Sequence, residues 1–277
     1  MTPIEFVLVT FLIALGAGFL GSLLGIGGGI IVVPALTLLL GIDIRFAIGA
    51  SIVSVIATSS GAAAAYVRER MTNLRVAMFL EIATTTGAIT GALVAGIINP
   101  RWLYIIFALL MGYSAVVMFR KRHELVAALV PHDRLAERLN LHGGYYDEAT
   151  KQQVDYRVTH TPIGLGLMYI AGITSGLLGI GSGALKVPAM DLAMHLPIKV
   201  STATSNFMIG VTAAASAGVY FARGDINPFI AAPVAAGVLG GATTGSRLLG
   251  RTQSSVIRVI FVLVLVWVSI EMLMKGI

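Results

Sequence analysis

The sequence predicts an all-α polytopic membrane protein built from two inverted repeats. Of its 277 residues, 57% are hydrophobic and 12% are charged, and the mean hydropathy is +0.90, whereas about a quarter of the residues in soluble domains are charged. Apolar stretches of roughly 20 residues, the length that an α-helix needs to cross the hydrocarbon core, recur along the chain. A glycine-rich stretch occurs at residues 25–29 and again at 179–183, an offset of 154 residues.

The first repeat contains five apolar segments. The first carries only Glu5 before its apolar run, so we expect it to be a membrane span and not a cleaved signal peptide. The second is about 12 residues long, too short to cross the bilayer at 1.5 Å per residue, so it either re-enters or crosses only in part. The third is rich in Ala, Ser and Thr, which favours close packing in lipid. The five segments are 4–24, 30–41, 47–67, 76–98 and 102–119.

A polar linker separates the repeats. Residues 120–160 hold many charged side chains, and residues 133–141 within them predict a short amphipathic helix that ends at Gly143 and Gly144. The second repeat is expected to have segments at 162–178, 184–195, 200–221, 227–246 and 255–274. The expected organisation is therefore a first transmembrane repeat at 1–119, a linker at 120–160 and a second repeat at 161–277.

The offset of 154 residues holds without a gap far beyond the glycines, which implies one duplicated unit. It pairs Ser51 with Ser205, Thr58 with Thr212, Tyr66 with Tyr220, Asn73 with Asn227 and Gly87 with Gly241. Each unit has an odd number of segments, so the second must insert upside down relative to the first. Inverted repeats with discontinuous helices are typical of secondary transporters.

The distribution of Lys and Arg predicts the orientation in the membrane. Most basic residues lie in the loops 68–75 and 247–258 and in the linker, and this side is expected to be cytoplasmic. The net charge of +6 is explained by this topology and does not indicate nucleic-acid binding. The expected location is the plasma membrane of a prokaryote. The other side holds Arg45, Arg101, Arg223 and Lys275.

The two glycine breaks are the predicted substrate site. A helix that starts directly after a break has free N–H groups and the positive end of its dipole there, which favours a small anion. The alternative is that the glycines only permit tight helix packing. The candidate site residues in and near the breaks are Gly25, Gly27, Gly28, Gly29, Gly179, Gly181, Ser182 and Gly183, with Ser51, Ser205 and Asn206 as candidate polar lining.

Two charged residues within apolar segments have open roles. Lys186 either acts as the counter-ion of the anion or extends to the cytoplasmic face, and its equivalent in the first repeat is Val32. Glu81 either carries a coupling proton or lies near the interface, paired with Arg75 or Arg101.

Several function classes lack support in the sequence. The chain has no cysteine, which excludes disulfides, thiolate metal sites and cysteine nucleophiles. The five histidines show no metal-ligand spacing, and nothing arranges Ser, His and Asp as a catalytic triad. We therefore expect no metal site, no cofactor and no enzymatic activity.

Three runs of residues resemble the sulfite exporter TauE/SafE family, also called the TSUP membrane transporters. These runs are Gly-Ile-Gly-Gly-Gly-x4-Pro at 25–34, Leu-Leu-Gly-Ile-Gly-Ser-Gly-Ala-Leu-Lys-Val-Pro at 177–188, and Ala-Thr-Ser-Asn-Phe-Met-Ile-Gly at 203–210. The resemblance covers both repeats and implies transport of sulfite, sulfonates such as sulfoacetate, or thiosulfate, with protons as the candidate coupling ion. The long linker departs from the family pattern.

The predicted function is export of a small oxyanion across the membrane by alternating access. The predicted partners are this anion, the lipid bilayer and coupling protons, with no nucleic acid. Two alternatives remain: an anion channel or uptake carrier on the same scaffold, and a membrane protein that binds anions without transporting them.

Overall fold

The computed structural model describes residues 2–24, 28–68, 72–120, 133–147, 151–248 and 254–277. It confirms the all-α membrane class, since four helices in the described part of the chain are long and apolar enough to cross a membrane. The first repeat consists of α1 (Pro3–Leu24), α2 (Gly29–Leu39), α3 (Ile44–Arg68), α4 (Leu74–Ile97) and α5 (Pro100–Arg120).

The linker contributes one short helix and a β-hairpin, and the second repeat follows it. The linker elements are α6 (Arg134–Arg138), β1 (Gly143–Asp147) and β2 (Gln152–Tyr156). The second repeat consists of α7 (Thr161–Leu178), α8 (Gly183–Pro188) with a π-helical turn (Ala189–Ala193), α9 (Ile198–Arg223), α10 (Pro228–Leu248) and α11 (Ser254–Gly276).

The short segments after both glycine breaks re-enter the bundle and do not cross it. In the second repeat the N–H of Thr159, just before α7, donates to the carbonyl of Met194, just after the π-helical turn, at 3.2 Å. Helices α7 and α8 therefore form a hairpin whose two ends lie on the linker side. In the first repeat, Phe6 of α1 stacks on Phe229 at the start of α10. Gly49, near the start of α3, contacts the carbonyl of Asp225 just before α10, so the α1–α2 hairpin starts and ends on the opposite side.

The two repeats are inverted, as predicted. Asn73, at the start of α4, donates its side-chain N–H to the carbonyl of Leu141 in the linker at 2.9 Å. The equivalent helix α10 instead starts beside Phe6, at the other end of the bundle. Equivalent helices of the two repeats thus run in opposite directions.

The repeats interlock through close contacts between α4 and α7 and between α1 and α10. A Cβ atom on Gly87 would overlap the carbonyl oxygen of Tyr169, and a Cβ atom on Gly241 would overlap the carbonyl oxygen of Leu15. These two contacts are related by the same 154-residue offset. The small residues therefore permit the close backbone approach that holds helices together in lipid, and the duplication preserves it.

The predicted helix in the linker is too long, and the hairpin after it was not predicted. Asp133 accepts hydrogen bonds from the N–H groups of Leu135 and Ala136 and so starts α6, which ends after Arg138. Gly143 and Gly144 begin strand β1 and do not merely end the helix. The strands that follow contain aromatic and β-branched residues, which favour strand over helix.

The linker packs against the bundle. Its apolar side chains contribute to a buried cluster with residues from the linker-side ends of α4, α7 and α9. The cluster includes Leu141, Tyr145 and Val158 from the linker and Val76, Leu80, Met168, Met194 and Val200 from the bundle.

Candidate functional site

The two glycine breaks meet inside the bundle. A Cβ atom on Gly29 would lie 2.7 Å from the hydroxyl oxygen of Ser51 and 3.0 Å from the carbonyl oxygen of Gly179. The Ser51 hydroxyl itself donates to that carbonyl at 2.8 Å. Residues of both predicted breaks and the predicted lining residue Ser51 are thus in direct contact.

The second break is a tight turn in which three of four successive buried residues have positive φ. Gly179, Gly181 and Ser182 have φ values of +65°, +76° and +50°, a region that favours glycine because a Cβ atom is strained there. The carbonyl of Ser182 accepts from the N–H groups of Leu185 and Lys186, both at 2.9 Å, and so starts α8.

The first break has the same pattern of carbonyl hydrogen bonds in its described part, although Gly28 has a φ of −69° where the equivalent Ser182 has +50°. The carbonyl of Gly28 accepts from the N–H groups of Ile31 and Val32, both at 3.1 Å, and α2 begins at Gly29. Gly28 and Gly29 are buried. The other candidate residues of this break, Gly25 and Gly27, lie outside the described residues.

Two of the predicted serine hydroxyls are buried without a hydrogen-bond partner in the described part of the chain. They belong to Ser182, at the second break, and to Ser205 on α9, the equivalent of Ser51. A buried hydroxyl without a partner costs about 1–3 kcal/mol. Such groups in native structures call for an explanation, and a ligand is one.

A fully buried lysine lies one turn after the second break. The ammonium of Lys186 donates to the hydroxyl of Thr212 at 2.6 Å, and this hydroxyl lies 2.7 Å from Oε1 of Glu81. Thr85 also donates to Oε1 of Glu81, at 3.0 Å. Thr212 thus bridges a buried cation and a buried carboxylate, with the carbonyl of Met208 as an alternative acceptor for its proton at 2.8 Å.

This arrangement excludes one of the two interpretations that the sequence left open for each charged residue. Lys186 is 0% exposed, so the interpretation in which it extends to the cytoplasmic face is wrong. Glu81 is 9% exposed and bonded to threonines, so its pairing with Arg75 or Arg101 is also wrong. Arg75 donates instead to the carbonyl of Asn140 in the linker. The second oxygen of Glu81, Oε2, is buried without a hydrogen-bond partner among the described residues.

Comparison with known proteins identifies the family. The model of the family described as sulfite exporter TauE/SafE matches residues 10–272. The chain belongs to this family.

Relatives of this TauE/SafE protein occur in bacteria and archaea. The probable membrane transporter protein YunE of Bacillus subtilis is 27% identical over 96% of this chain and 97% of its own length. A probable membrane transporter protein of Xylella fastidiosa is 27% identical over 94% and 92%, and one of Methanocaldococcus jannaschii is 27% identical over 74% and 69%. No solved structure matches the chain. The protein is a multi-pass membrane transporter.

Two residues of the candidate site of this TauE/SafE protein were not predicted. Thr212 lies seven residues after Ser205, two turns further on the same face of α9, which is a signal that the sequence offered. Thr85 follows Glu81 by one turn in the same way. Asn206, in contrast, was predicted, and it is buried with its backbone carbonyl accepting from Ser59 at 2.8 Å.

Tyr220, which was not predicted, forms hydrogen bonds to the backbone just before the second break. The hydroxyl of Tyr220 donates to the carbonyl of Gly176 at 2.8 Å and lies 3.2 Å from that of Leu177. These carbonyls belong to the last turn of α7, where they lack partners within the helix. The guanidinium of Arg223 lies over the Tyr220 ring at 4.4 Å.

Within the described ranges, no group of three or more His, Asp or Glu side chains is arranged to hold a metal ion. The hydrogen-bond donors among the candidate residues are hydroxyls, backbone N–H groups and one ammonium. They are suited to contact an oxyanion.

Proposed function

We propose that the protein exports a small oxyanion, such as sulfite, a sulfonate or thiosulfate, across the plasma membrane of a prokaryote. The observation that carries the proposal is the contact between the two breaks, together with a buried lysine one turn after the second break and two buried serine hydroxyls without described partners. Ammonium and hydroxyl groups are good hydrogen-bond donors to oxyanions. Family membership and the names of the relatives support the transporter class.

The proposed binding groups come from both repeats. Ser182, Lys186 and Ser205 supply side-chain donors, and Gly28 and Gly29 supply the backbone at the start of α2, where the helix dipole favours negative charge. The remaining predicted residues, Gly25, Gly27, Gly179, Gly181, Gly183, Ser51 and Asn206, are proposed to shape the site.

Alternating access fits this architecture. Each hairpin opens toward one side, and the hairpin tips touch in the interior. Separation of one tip from the other repeat would connect the site to one side of the membrane at a time. The basic linker side is proposed to be cytoplasmic, because Lys and Arg collect in cytoplasmic loops.

Counterflow in proteoliposomes tests the proposal. Vesicles loaded with sulfite, thiosulfate or sulfoacetate are diluted into a trace of the labelled anion, and a carrier accumulates the label transiently. In Ser182→Ala and Ser205→Ala, the half-saturating concentration is expected to rise about tenfold or more, because a hydrogen bond to a charged group contributes about 1.5–3 kcal/mol. Ser60→Ala, an exposed serine on α3, is the matched control.

The stronger substitution Ser182→Leu is expected to abolish counterflow while the protein still inserts, since it fills the turn. Flux that persists in this variant at the wild-type level counts against the site. Flux that follows the membrane potential without counterflow would instead support the channel alternative. Binding of an anion without any flux would support the non-transporting alternative.

A further inference from the structure

The polar chain through Thr212 exists in only one half of the pseudo-symmetric bundle. The positions equivalent to Lys186, Thr212 and Glu81 by the 154-residue offset are Val32, Thr58 and Ala235. Thr58 donates its hydroxyl to the carbonyl of Ser54 within its own helix. The duplicated fold is therefore complete without the two charges, and their presence in the second half calls for a separate explanation.

The two charges balance each other in the structure. A charged side chain inside the membrane is costly unless it is paired, and removing one partner of a buried pair leaves an uncompensated charge. Here Lys186 and Glu81 share the Thr212 hydroxyl, at 2.6 Å and 2.7 Å. The substrate-free site is thus close to neutral.

Arrival of an anion changes this balance. An oxyanion at the break offers Lys186 a charged acceptor, which is stronger than the neutral hydroxyl of Thr212. Glu81 then shares its only described cationic neighbour with a second negative charge. Its oxygen Oε2 is buried and has no partner among the described residues, so it is the atom with room for a proton.

We propose that Glu81 binds one proton when an anion brings its negative charge to Lys186, and that the Thr212 hydroxyl links the two events. The inference rests on the proposed function and adds to it the ion whose movement is coupled to transport of the anion. The proton comes from water on the side to which the site is open and leaves with the anion on the other side. Transport of a monoanion is then electroneutral symport with one proton, so export proceeds when the outward gradient of the anion exceeds the opposing inward gradient of protons.

We assign the proton to Glu81 because of where the other titratable residues of the neighbouring helices lie. Helix α4 packs against α7 and α9, and Lys186 reaches Thr212 from α8. The titratable residue of α7 is Tyr169, whose hydroxyl lies 3.4 Å from Thr90, two turns from Glu81 along α4. Those of α9 are Lys199, Tyr220 and Arg223, which lie near its ends, and Asp191 lies in the π-helical turn after Lys186.

The test uses methanesulfonate, whose charge is fixed across the working pH range, so that pH acts on the protein alone. Purified protein in vesicles is given a pH gradient of one unit, acidic outside, at zero membrane potential. One proton per anion predicts accumulation of labelled methanesulfonate to about tenfold. A potassium diffusion potential of either sign is expected to leave this ratio unchanged. Exchange of methanesulfonate at equal pH is measured in parallel.

Four variants separate proton coupling from anion binding. Glu81→Gln is expected to lower gradient-driven accumulation far more than exchange, because the amide takes up no proton. Thr212→Val, which keeps the shape but removes the hydroxyl, is expected to shift the pH dependence of exchange, and Thr212→Ser is expected to restore it. Thr58→Val, at the equivalent position in the other repeat, is the matched control and is expected to keep the wild-type coupling ratio.

Each outcome decides the inference. If the wild type shows no exchange, the proposed function fails and the inference falls with it. If it exchanges but does not accumulate the anion, or if a membrane potential drives accumulation, the inference alone is wrong. It is also wrong if Glu81→Gln keeps the tenfold ratio. Should Glu81→Gln not fold, identical pH profiles of Thr212→Val and Thr212→Ser would overturn it.

Discussion

Ser51 on α3 donates a hydrogen bond of 2.8 Å to the backbone carbonyl of Gly179 at the tip of the second hairpin. Gly179 ends α7 with φ +65° and is already fixed by its own N–H, which donates to the carbonyl of Ser175 at 2.8 Å. The serine thus connects a helix of the first repeat to the break of the second. Any movement of that hairpin relative to α3 must break this bond or carry α3 along.

Ser51→Ala is expected to weaken both the fold and the site. The free energy of unfolding should fall by about 1 kcal/mol, the usual contribution of one internal hydrogen bond. The half-saturating anion concentration should rise several-fold, because the break loses a contact that positions it. Thermal unfolding in detergent and counterflow measure the two effects.

The control for this variant is again Ser60→Ala, since Ser60 lies on the same helix but is exposed and donates to the carbonyl of Ile56 in its own helix. Equal behaviour of the two variants in both assays would remove the structural role assigned to Ser51.

Gly241→Ala is expected to loosen the contact between α1 and α10. Its Cβ atom would overlap the carbonyl oxygen of Leu15, so the helices must move apart, which typically costs about 1–3 kcal/mol. The adjacent Gly240 has open space around the position of a Cβ atom. Gly240→Ala should therefore change stability by about 1 kcal/mol or less, in the stabilising direction. Thermal unfolding of the two variants checks this difference, and equal melting temperatures would contradict it.

Much of the architecture follows from the sequence because lipid imposes strict rules on it. The length of the apolar segments predicts the membrane spans. The ungapped offset of 154 residues predicts the duplication, and the odd number of segments in each unit predicts the inversion. Whether the short segments cross or re-enter does not follow, because this depends on contacts between residues far apart in sequence, such as that of Thr159 with Met194. The β-hairpin of the linker escapes prediction for a different reason. Its five-residue strands are too short for alternation to stand out among polar neighbours.

The site is predicted only in part, since its chemistry depends on contacts between distant segments. The breaks are visible as repeated glycines, and Lys186 and Glu81 are visible as charges in apolar segments. That Thr212 connects them is not visible, because the three residues lie on α8, α9 and α4 and meet only after packing. Tyr220 is similar, since its partner carbonyls belong to the backbone of another helix.

Tyr220→Phe is expected to destabilise the second hairpin. Loss of the hydroxyl leaves the carbonyl of Gly176 buried without its donor, which costs about 1–3 kcal/mol. Tyr169→Phe is the control, because Tyr169 is 38% exposed and its hydroxyl only approaches Thr90 at 3.4 Å. This control should stay within about 0.5 kcal/mol of wild type in thermal unfolding. A loss of equal size in both variants would argue against the assigned role of Tyr220.

Asp133 makes attachment of the linker sensitive to acid. Its Oδ1 accepts from the N–H groups of Leu135 and Ala136, and its Oδ2 accepts from the N–H of Thr161 at 2.7 Å and the hydroxyl at 2.9 Å. Partial burial opposes ionisation, but these four hydrogen bonds outweigh it and lower the pKa of Asp133 below its ordinary value of 3.8. The same carboxylate thus accepts hydrogen bonds from N–H groups in the first turns of both α6 and α7.

The direction of the pH effect follows from this lowered pKa. A group that ionises more readily in the folded state contributes its full stabilisation above its unfolded pKa, and loses it as the pH falls through the folded pKa. Protection of the β-hairpin from hydrogen exchange, corrected for the intrinsic rate, should therefore be constant from about pH 7 to about pH 5 and fall below the ordinary pKa. Asp133→Asn should lower protection at neutral pH and remove this acid step, whereas Asp155→Asn, an exposed strand residue, should retain it. If wild type and Asp133→Asn lost protection in parallel, the acid sensitivity would originate elsewhere in the linker.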